Sequence, residues 1–266
     1  MQSIEKLFNI MTKLRDPVSG CEWDRVQTFD SIKGHTLEEC YEVLHAIEQR
    51  DFVELKNELG DLLFQIIFYA EMAKEQQYFT FDDICDGLAQ KLTRRHPHIF
   101  AEQPTAKVQS ANAQWEVLKQ QERIAKQQFS ILDDIPLALP ALMRAEKMQK
   151  RCASVGFDWQ SLPPVIDKIK EELVEVQVEL SQQPMQLDRV EEEIGDLLFS
   201  VVNLTRHMGF KAELTLHKAS QKFEQRFRQI EDYFAQQHRP LNEVSLDEME
   251  QAWQDIKSNE SQNNLV

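Results

Sequence analysis

The heptad ELGDLLF at residues 58–64 returns as EIGDLLF at residues 193–199, 135 positions later. Each copy follows an acidic stretch, TLEECYEV at residues 36–43 and IKEELVEV at residues 169–176. Several matched features at a nearly fixed offset are typical of an internal duplication. The duplication constrains the architecture more than any other feature, because the chain must fold as two copies of one unit.

Further matched features occur in the same order in both halves. They are CEWD at 21–24 with VGFDW at 155–159, Lys91 and Arg95 with Lys222 and Arg226, and Trp115 and Lys119 with Trp253 and Lys257. Between the copies, the stretch ILDDIPLALPALMRAEKMQK carries two prolines four residues apart, which break a helix. We place the boundary near residue 125, which predicts a first repeat over 1–125 and a second over 126–266.

The composition and the residue pattern predict an all-α fold, two tandem helical-bundle repeats. The chain has only 7 Gly and 9 Pro, and no stretch shows the period-two alternation of a half-buried strand. Thr36 followed by Glu39 predicts a capping box that opens the first acidic helix, just after Gly34, which we interpret as a helix breaker. Ser161 followed by two prolines predicts that the second acidic helix starts about a turn earlier.

The charge and the cysteines limit the classes of partner. With 45 acidic and 30 basic residues, the formal net charge of −15 argues against a nucleic-acid groove. The four cysteines lack metal-site spacing, and no apolar run is long enough to span a bilayer. The N-terminal stretch lacks the apolar core of a signal peptide. We expect a cytoplasmic protein that binds neither nucleic acid nor membrane.

Helical winding of each heptad places its acids in a narrow stripe between apolar flanks. The stripe residues are Glu58, Asp61 and Gln65 in the first copy and Glu193, Asp196, Ser200 and Asn203 in the second. Because burying unpaired carboxylates costs several kcal/mol each, such a stripe requires protonation or a bound cation. Oxygen ligands without paired His or Cys favour Mg²⁺, with Mn²⁺ as an alternative.

Basic and aromatic residues provide candidate contacts for an anionic ligand. Lys and Arg four residues apart share a helix face and can bind phosphate, or they can form surface salt bridges. Trp115 and Trp253 can stack on a base or sugar, although a helical Trp also serves as core. Lys119 and Lys257 can reach a phosphate tail or remain solvated.

The pairing of EExxE with ExxD, GCEWD near the start and GDLLF after the second acid together resemble the MazG family of nucleoside triphosphate pyrophosphohydrolases. The resemblance covers nearly the whole chain in its two-repeat form. It implies an all-α bundle that forms a homodimer and hydrolyses (deoxy)nucleoside triphosphates to the monophosphate and pyrophosphate with Mg²⁺, in housecleaning of the nucleotide pool. The second repeat departs from the family pattern because it carries only VGFDW.

The resemblance also implies roles for individual residues. The implied metal ligands are Glu39, Glu42, Glu58 and Asp61 in the first repeat and Glu172, Glu175, Glu193 and Asp196 in the second. Glu38 and Glu171 lie next to ligands but are rotated off them, so each is a candidate general base or a ligand of a second ion. Attack at the α-phosphorus is likewise implied by the family.

Two cations distinguish the second repeat. Lys168 and Arg189 precede Glu172 and Glu193 by four residues, whereas the corresponding first-repeat positions are His35 and Glu54. We expect the second repeat to be the main catalytic site and to bind substrate through Lys168 and Arg189.

Two alternatives remain open. A di-iron carboxylate bundle needs Glu-x-x-His motifs, and Glu42 with His45 provides one, but Val178 replaces the histidine in the second copy. A non-catalytic helical scaffold explains the duplication but not the acids between apolar flanks.

Overall fold

The structure is a computed structural model that describes residues 2–100 and 128–263. Helices make up both described parts, without a strand in either. The first part contains α1 (Gln2–Leu14), α2 (Phe29–Gln49), α3 (Phe52–Glu75), α4 (Phe81–Arg95) and the short α5 (Pro97–Phe100). The second contains α6 (Ala141–Ala153), α7 (Leu162–Ser181), α8 (Leu187–His207), α9 (Ala212–Gln236) and α10 (Leu246–Asn263). The predicted all-α fold is confirmed.

The two parts repeat one plan. The acidic helices α2 and α7 begin 133 positions apart, and their partners α3 and α8 begin 135 positions apart. In each unit, the two helices pack closely against each other as a hairpin. The chain separates into two compact units, and the predicted boundary near residue 125 lies outside the described residues, so it stays a prediction. The predicted break at the two prolines is confirmed, because α6 begins only after Pro140.

The predicted start of the first acidic helix is wrong. Helix α2 begins two turns before Thr36, at Phe29, where the side chain of Thr28 accepts a hydrogen bond from the Ser31 backbone N–H. Ile32, which is 1% exposed, belongs to the core of the first unit, so its burial stabilises these two additional turns of helix. Gly34 lies inside the helix, where open space surrounds it, and does not end it.

The first unit is held together by a core between α1, α2 and α3. Its fully buried members are Met11, Ile32, Ile67, Phe68 and Met72. A core cluster of the second unit joins α9 to α10 through Ile230, Phe234, Val244 and Ala252. Within the described residues, no helix is both long enough and apolar enough to cross a membrane.

The two acidic helices allow the contribution of an N-cap hydrogen bond to stability to be measured. Thr28 caps α2 through its hydroxyl, whereas Ser161 at the equivalent position of α7 makes no side-chain cap hydrogen bond. We expect Thr28→Ala to lower the free energy of unfolding by about 1 kcal/mol, because a backbone N–H loses its partner. The matched Ser161→Ala substitution should leave it almost unchanged. Urea denaturation followed by circular dichroism measures both, and equal losses would contradict the assignment.

Candidate active site

Three carboxylates converge in the second unit. Oxygen atoms of Glu172 and Glu175 on α7 and of Glu193 on α8 lie within 4.8 Å of one another. Glu172 is only 5% exposed. Asp196, one turn after Glu193, lines the same cavity as Glu172 but is not part of the close trio. The structure thus brings three of the four predicted second-repeat ligands together and places the fourth beside them.

The first unit repeats the arrangement with a different trio. Oxygen atoms of Glu39, Glu58 and Asp61 lie within 4.8 Å of one another. Glu42, the fourth predicted ligand, hydrogen-bonds to Glu39, and its charge also acts on Glu58. Burial raises the pKa of Glu39, and the charges of Asp61 and Glu42 raise it further. All four acids therefore share one electrostatic environment.

Both trios offer only carboxylate oxygens. Helix residues three apart lie on one face, so an ExxE turn on one helix and an ExxE or ExxD turn on its partner aim their oxygens at a common point. Oxygen donors of this kind suit Mg²⁺ or Mn²⁺. Among the described residues, neither trio includes a histidine. The Glu42–His45 motif therefore gains no support as part of an iron site.

The cations predicted for the second unit contact its acids. The Lys168 Nζ atom lies 2.7 Å from Glu171 and 2.8 Å from Glu172, and these contacts raise the pKa of Lys168. Arg189 pairs with Glu192 and lies 3.2 Å from Glu193. The second cluster therefore has two positive charges at its acids.

The first unit lacks this compensation at the equivalent positions. His35 contacts the candidate base Glu38 at 3.0 Å. At the position that corresponds to Arg189, however, the first unit has Glu54. Burial raises the pKa of Glu58, and a hydrogen bond with the Glu54 carboxyl raises it further. Burial and a hydrogen bond with Glu172 also raise the pKa of Glu175 in the second unit, where the charge of Lys168 acts in the opposite direction. The two clusters therefore differ in their neighbouring cations, and each contains a carboxyl group with a raised pKa.

A cavity of about 610 Å³ opens beside the acids of the second unit. It is lined by Lys168, Glu172 and Asp196 and also by Phe157 and Trp159, which flank Asp158, the partner of Arg206. Ten residues of α8 separate Asp196 from Arg206, so the cavity extends about 15 Å along this helix. It joins a charged region to an aromatic one.

Polar side chains that follow the acidic stripe also line this cavity. Ser200 and Asn203 are buried, and Asn203 accepts hydrogen bonds from Arg206 at 3.1 and 2.7 Å. Arg206 also binds Asp158 through two contacts of 2.9 and 2.5 Å. Ser200 and Asn203 belong to the predicted stripe, but Arg206 was not predicted. Extending the helical stripe by one more turn would have found it.

The first unit fills the corresponding positions with larger side chains. Gln65 replaces Ser200 and Phe68 replaces Asn203, 135 positions earlier. Phe68 is 1% exposed and belongs to the core of the first unit, where the Trp23 ring contacts its edge. The two copies therefore share the acids but differ in the residues next to them.

The predicted phosphate contacts on α9 and α10 form a cluster of their own. Arg226 donates to Glu260 at 2.9 and 2.7 Å and lies 5.5 Å from the Trp253 ring. Trp253 packs on the core between α9 and α10, and its ring lies 5.3 Å from that of Phe223. Lys222 is exposed one turn before Arg226.

Other predicted contacts stay predictions. Lys257 is exposed on α10, and Lys91 and Arg95 lie in the second half of α4. Trp115 and Lys119 lie outside the described residues.

The fold and the site together define a duplicated all-α protein with paired carboxylate centres. The MazG nucleotide pyrophosphohydrolase domain matches the chain twice, over residues 27–100 and 160–230. A nucleoside triphosphate pyrophosphohydrolase of Escherichia coli (strain K12) is 53% identical over 260 residues, which cover 98% of this chain and 99% of that protein. A protein of Thermotoga maritima, named nucleoside triphosphate pyrophosphohydrolase/pyrophosphatase MazG, is 41% identical over 253 residues and 95% of each chain.

The chain therefore belongs to the MazG nucleotide pyrophosphohydrolase family, and the predicted family is confirmed. Both matched segments contain the acidic helix pair. Residues 156–159, and Trp253 and Lys257 on α10, lie outside the matched ranges. Lys222 and Arg226 on α9 lie within the second range.

The raised pKa values in the first unit predict a pH-dependent stability. In the folded chain, the pKa values of Glu39 and Glu58 lie above the ordinary value of 4.5. From pH 4.5 upward through the raised values, the folded chain binds more protons than the unfolded chain, so these groups lower stability as pH rises. We expect the Tm of Glu39→Gln/Glu58→Gln, measured without divalent cation, to exceed the wild-type Tm by a margin that grows over this range.

The exposed Glu5 lies outside the cluster and supplies the control substitution Glu5→Gln. The margin between this variant and the unsubstituted protein should stay constant with pH. A margin for the double variant that shrinks as pH rises would contradict the assigned repulsion.

Proposed function

We propose that this chain hydrolyses (deoxy)nucleoside triphosphates to the monophosphate and pyrophosphate with Mg²⁺, which Mn²⁺ can replace, and that the second repeat is the main catalytic site. The observation that carries the proposal is the trio of Glu172, Glu175 and Glu193 beside an open cavity, with Lys168 in contact with Glu172. The names of the two relatives support the reaction class. Housecleaning of the nucleotide pool is the role that this reaction serves best.

The residues around the cavity divide the work. Bound Mg²⁺ would screen the triphosphate and polarise an attacking water. Glu172, Glu175, Glu193 and Asp196 would hold the cation. Lys168 and Arg189 would place positive charge where the leaving pyrophosphate develops negative charge. Glu171 is the candidate general base, since it lies next to a ligand on α7 and is exposed to solvent. Lys168 donates a hydrogen bond to its carboxylate at 2.7 Å.

The cavity supports an orientation for the nucleotide. In this orientation, the phosphates of the nucleotide lie at the charged region near Lys168 and Asp196. The base of the nucleotide lies at the aromatic region near Phe157 and Trp159. Arg206 lies at the aromatic end of the cavity, where Asp158 binds it through two contacts. The clusters of Lys222, Arg226, Trp253 and Lys257 on α9 and α10 and of Lys91 and Arg95 on α4 remain candidate contacts for the substrate.

A homodimer is part of the proposal. The paired helices α7 and α8 leave large apolar side chains in water, among them Leu173, Ile194 and Leu198 at 43–55% exposure. A second copy would remove this apolar surface from water. Sedimentation of the purified chain at micromolar concentration tests this association.

The assignment to the second repeat is tested by matched carboxylate substitutions. We expect Glu172→Gln to reduce pyrophosphate release about a hundredfold or more, because a ligand at the site loses its charge. The equivalent substitution in the first repeat, Glu39→Gln, should retain most activity. Loss of activity only in Glu39→Gln would reverse the assignment. Products are resolved as monophosphate plus pyrophosphate or diphosphate plus phosphate, and the second pair would contradict the reaction.

Introducing the first-repeat residue at position 200 tests whether the nucleotide occupies the cavity. We expect Ser200→Gln to raise the KM for ATP about tenfold, because the longer side chain occupies space that the nucleotide needs. The reverse substitution, Gln65→Ser, should leave KM unchanged. Steady-state kinetics measures both, and an unaltered KM in Ser200→Gln would place the nucleotide elsewhere.

A further inference from the structure

The segment from Gly156 to Trp159 lines the cavity of the second unit but is not part of a helix. It carries two aromatic side chains, Phe157 at 81% exposure and Trp159 at 41% exposure. Aromatic rings in a loop need an anchor if they are to form a defined wall, because a free loop loses conformational entropy when a ligand orders it.

Asp158, between the two aromatic residues, supplies this anchor. Its carboxylate accepts hydrogen bonds from Arg206 at 2.9 and 2.5 Å and contacts His207 at 2.9 Å. The side chains of Asp158, Arg206 and His207 are 20%, 15% and 13% exposed, so solvent screens this contact less than a surface ion pair. Two-point contacts between Arg and a carboxylate also fix the relative orientation of both groups.

Arg206 is held in place from its other side. Its Nε and a terminal nitrogen both donate to the Asn203 side chain, which also lines the cavity. The chain of contacts therefore runs from helix α8 through Arg206 and Asp158 to the aromatic segment. The backbone N–H of Trp159 also donates to Asp158, at 3.0 Å, so the carboxylate orders its own loop.

The first unit cannot form this anchor. The counterpart of Arg206 is Glu71, an acid that accepts hydrogen bonds from Thr12 and Lys74. The counterpart of Asp158 is Asp24, whose backbone oxygen, at 2.7 Å, accepts from Arg15. Two acids at these positions would repel each other, so the anchor belongs to the unit with the open cavity.

We propose that the Asp158–Arg206 pair is a positioning device that holds Phe157 and Trp159 as the base-side wall of the cavity and thereby sets the affinity for the nucleotide base. This inference rests on the proposed function, because it assumes that a nucleoside triphosphate occupies the cavity. The pair takes no part in the chemistry at phosphorus. It acts through the two aromatic residues, so its removal affects binding of the base and not turnover.

The test compares ATP with ribose 5-triphosphate, which has the same phosphates but no base. For Asp158→Asn we expect the KM for ATP to rise about tenfold with kcat unchanged, since the charge-assisted contacts to Arg206 are lost. The kcat/KM for ribose 5-triphosphate should match that of the unsubstituted protein. A matched control is Asp167→Asn, which breaks an exposed ion pair with Lys170 on α7 and should leave both substrates unaffected.

A double-substitution cycle shows whether the two residues act as one unit. We expect the same increase in the KM for ATP in three variants, Asp158→Asn, Arg206→Gln and the double variant Asp158→Asn/Arg206→Gln. An unchanged KM for ATP, or an equal loss with ATP and with ribose 5-triphosphate, would overturn the proposal. If Asp158→Asn does not fold, as judged by its thermal unfolding, Arg206→Lys carries the same comparison, because it keeps the charge but loses the two-point contact.

The two proposals fail separately in this design. Absence of pyrophosphate release by the unsubstituted protein counts against the proposed function alone. In that case, calorimetric titration measures the affinity of the unsubstituted protein and of Asp158→Asn for ATP. Equal affinities would refute the positioning role of the Asp158–Arg206 pair.

Discussion

Carboxylates held close together on two packed helices are the constraint on which this molecule depends. In each unit, three carboxylate oxygens lie within 4.8 Å of one another, a distance at which like charges repel strongly unless protons or cations intervene. The two copies differ in the groups next to these acids. Glu54 shares a hydrogen bond with Glu58 in the first, whereas Lys168 and Arg189 contact the acids of the second. The same helix pair thus presents two electrostatic environments.

The space beside the acids diverged together with the charges. Phe68 and Gln65 extend the packed interior of the first copy, and Asn203 and Ser200 line a cavity in the second. A large apolar side chain such as Phe68 contributes to stability by its burial, whereas a cavity forfeits contacts. At these two positions, the first copy contributes packing and the second keeps room for a ligand.

Local patterns predicted much of this arrangement. Helical periodicity grouped Glu58 with Asp61, which lie together in the first trio, and the four-residue spacing predicted the Lys168 contact. It also grouped Glu193 with Asp196, but Asp196 lies outside the second trio. Long-range packing was not accessible in this way. The start of α2 depends on the burial of Ile32, and the contact of Asp158 with Arg206 joins residues 48 positions apart. No periodicity within one helix indicates which loop residue meets a given side chain of a distant helix.

The ammonium group of Lys168 lies between a candidate base and a candidate ligand, 2.7 Å from one carboxylate and 2.8 Å from the other. A single counter-ion shared by two acids couples them. A phosphate oxygen that drew Lys168 toward itself would take this counter-ion away from both carboxylates in the same event. Binding of an anion would then reach the candidate base and the candidate ligand together, because one ammonium group is the partner of both.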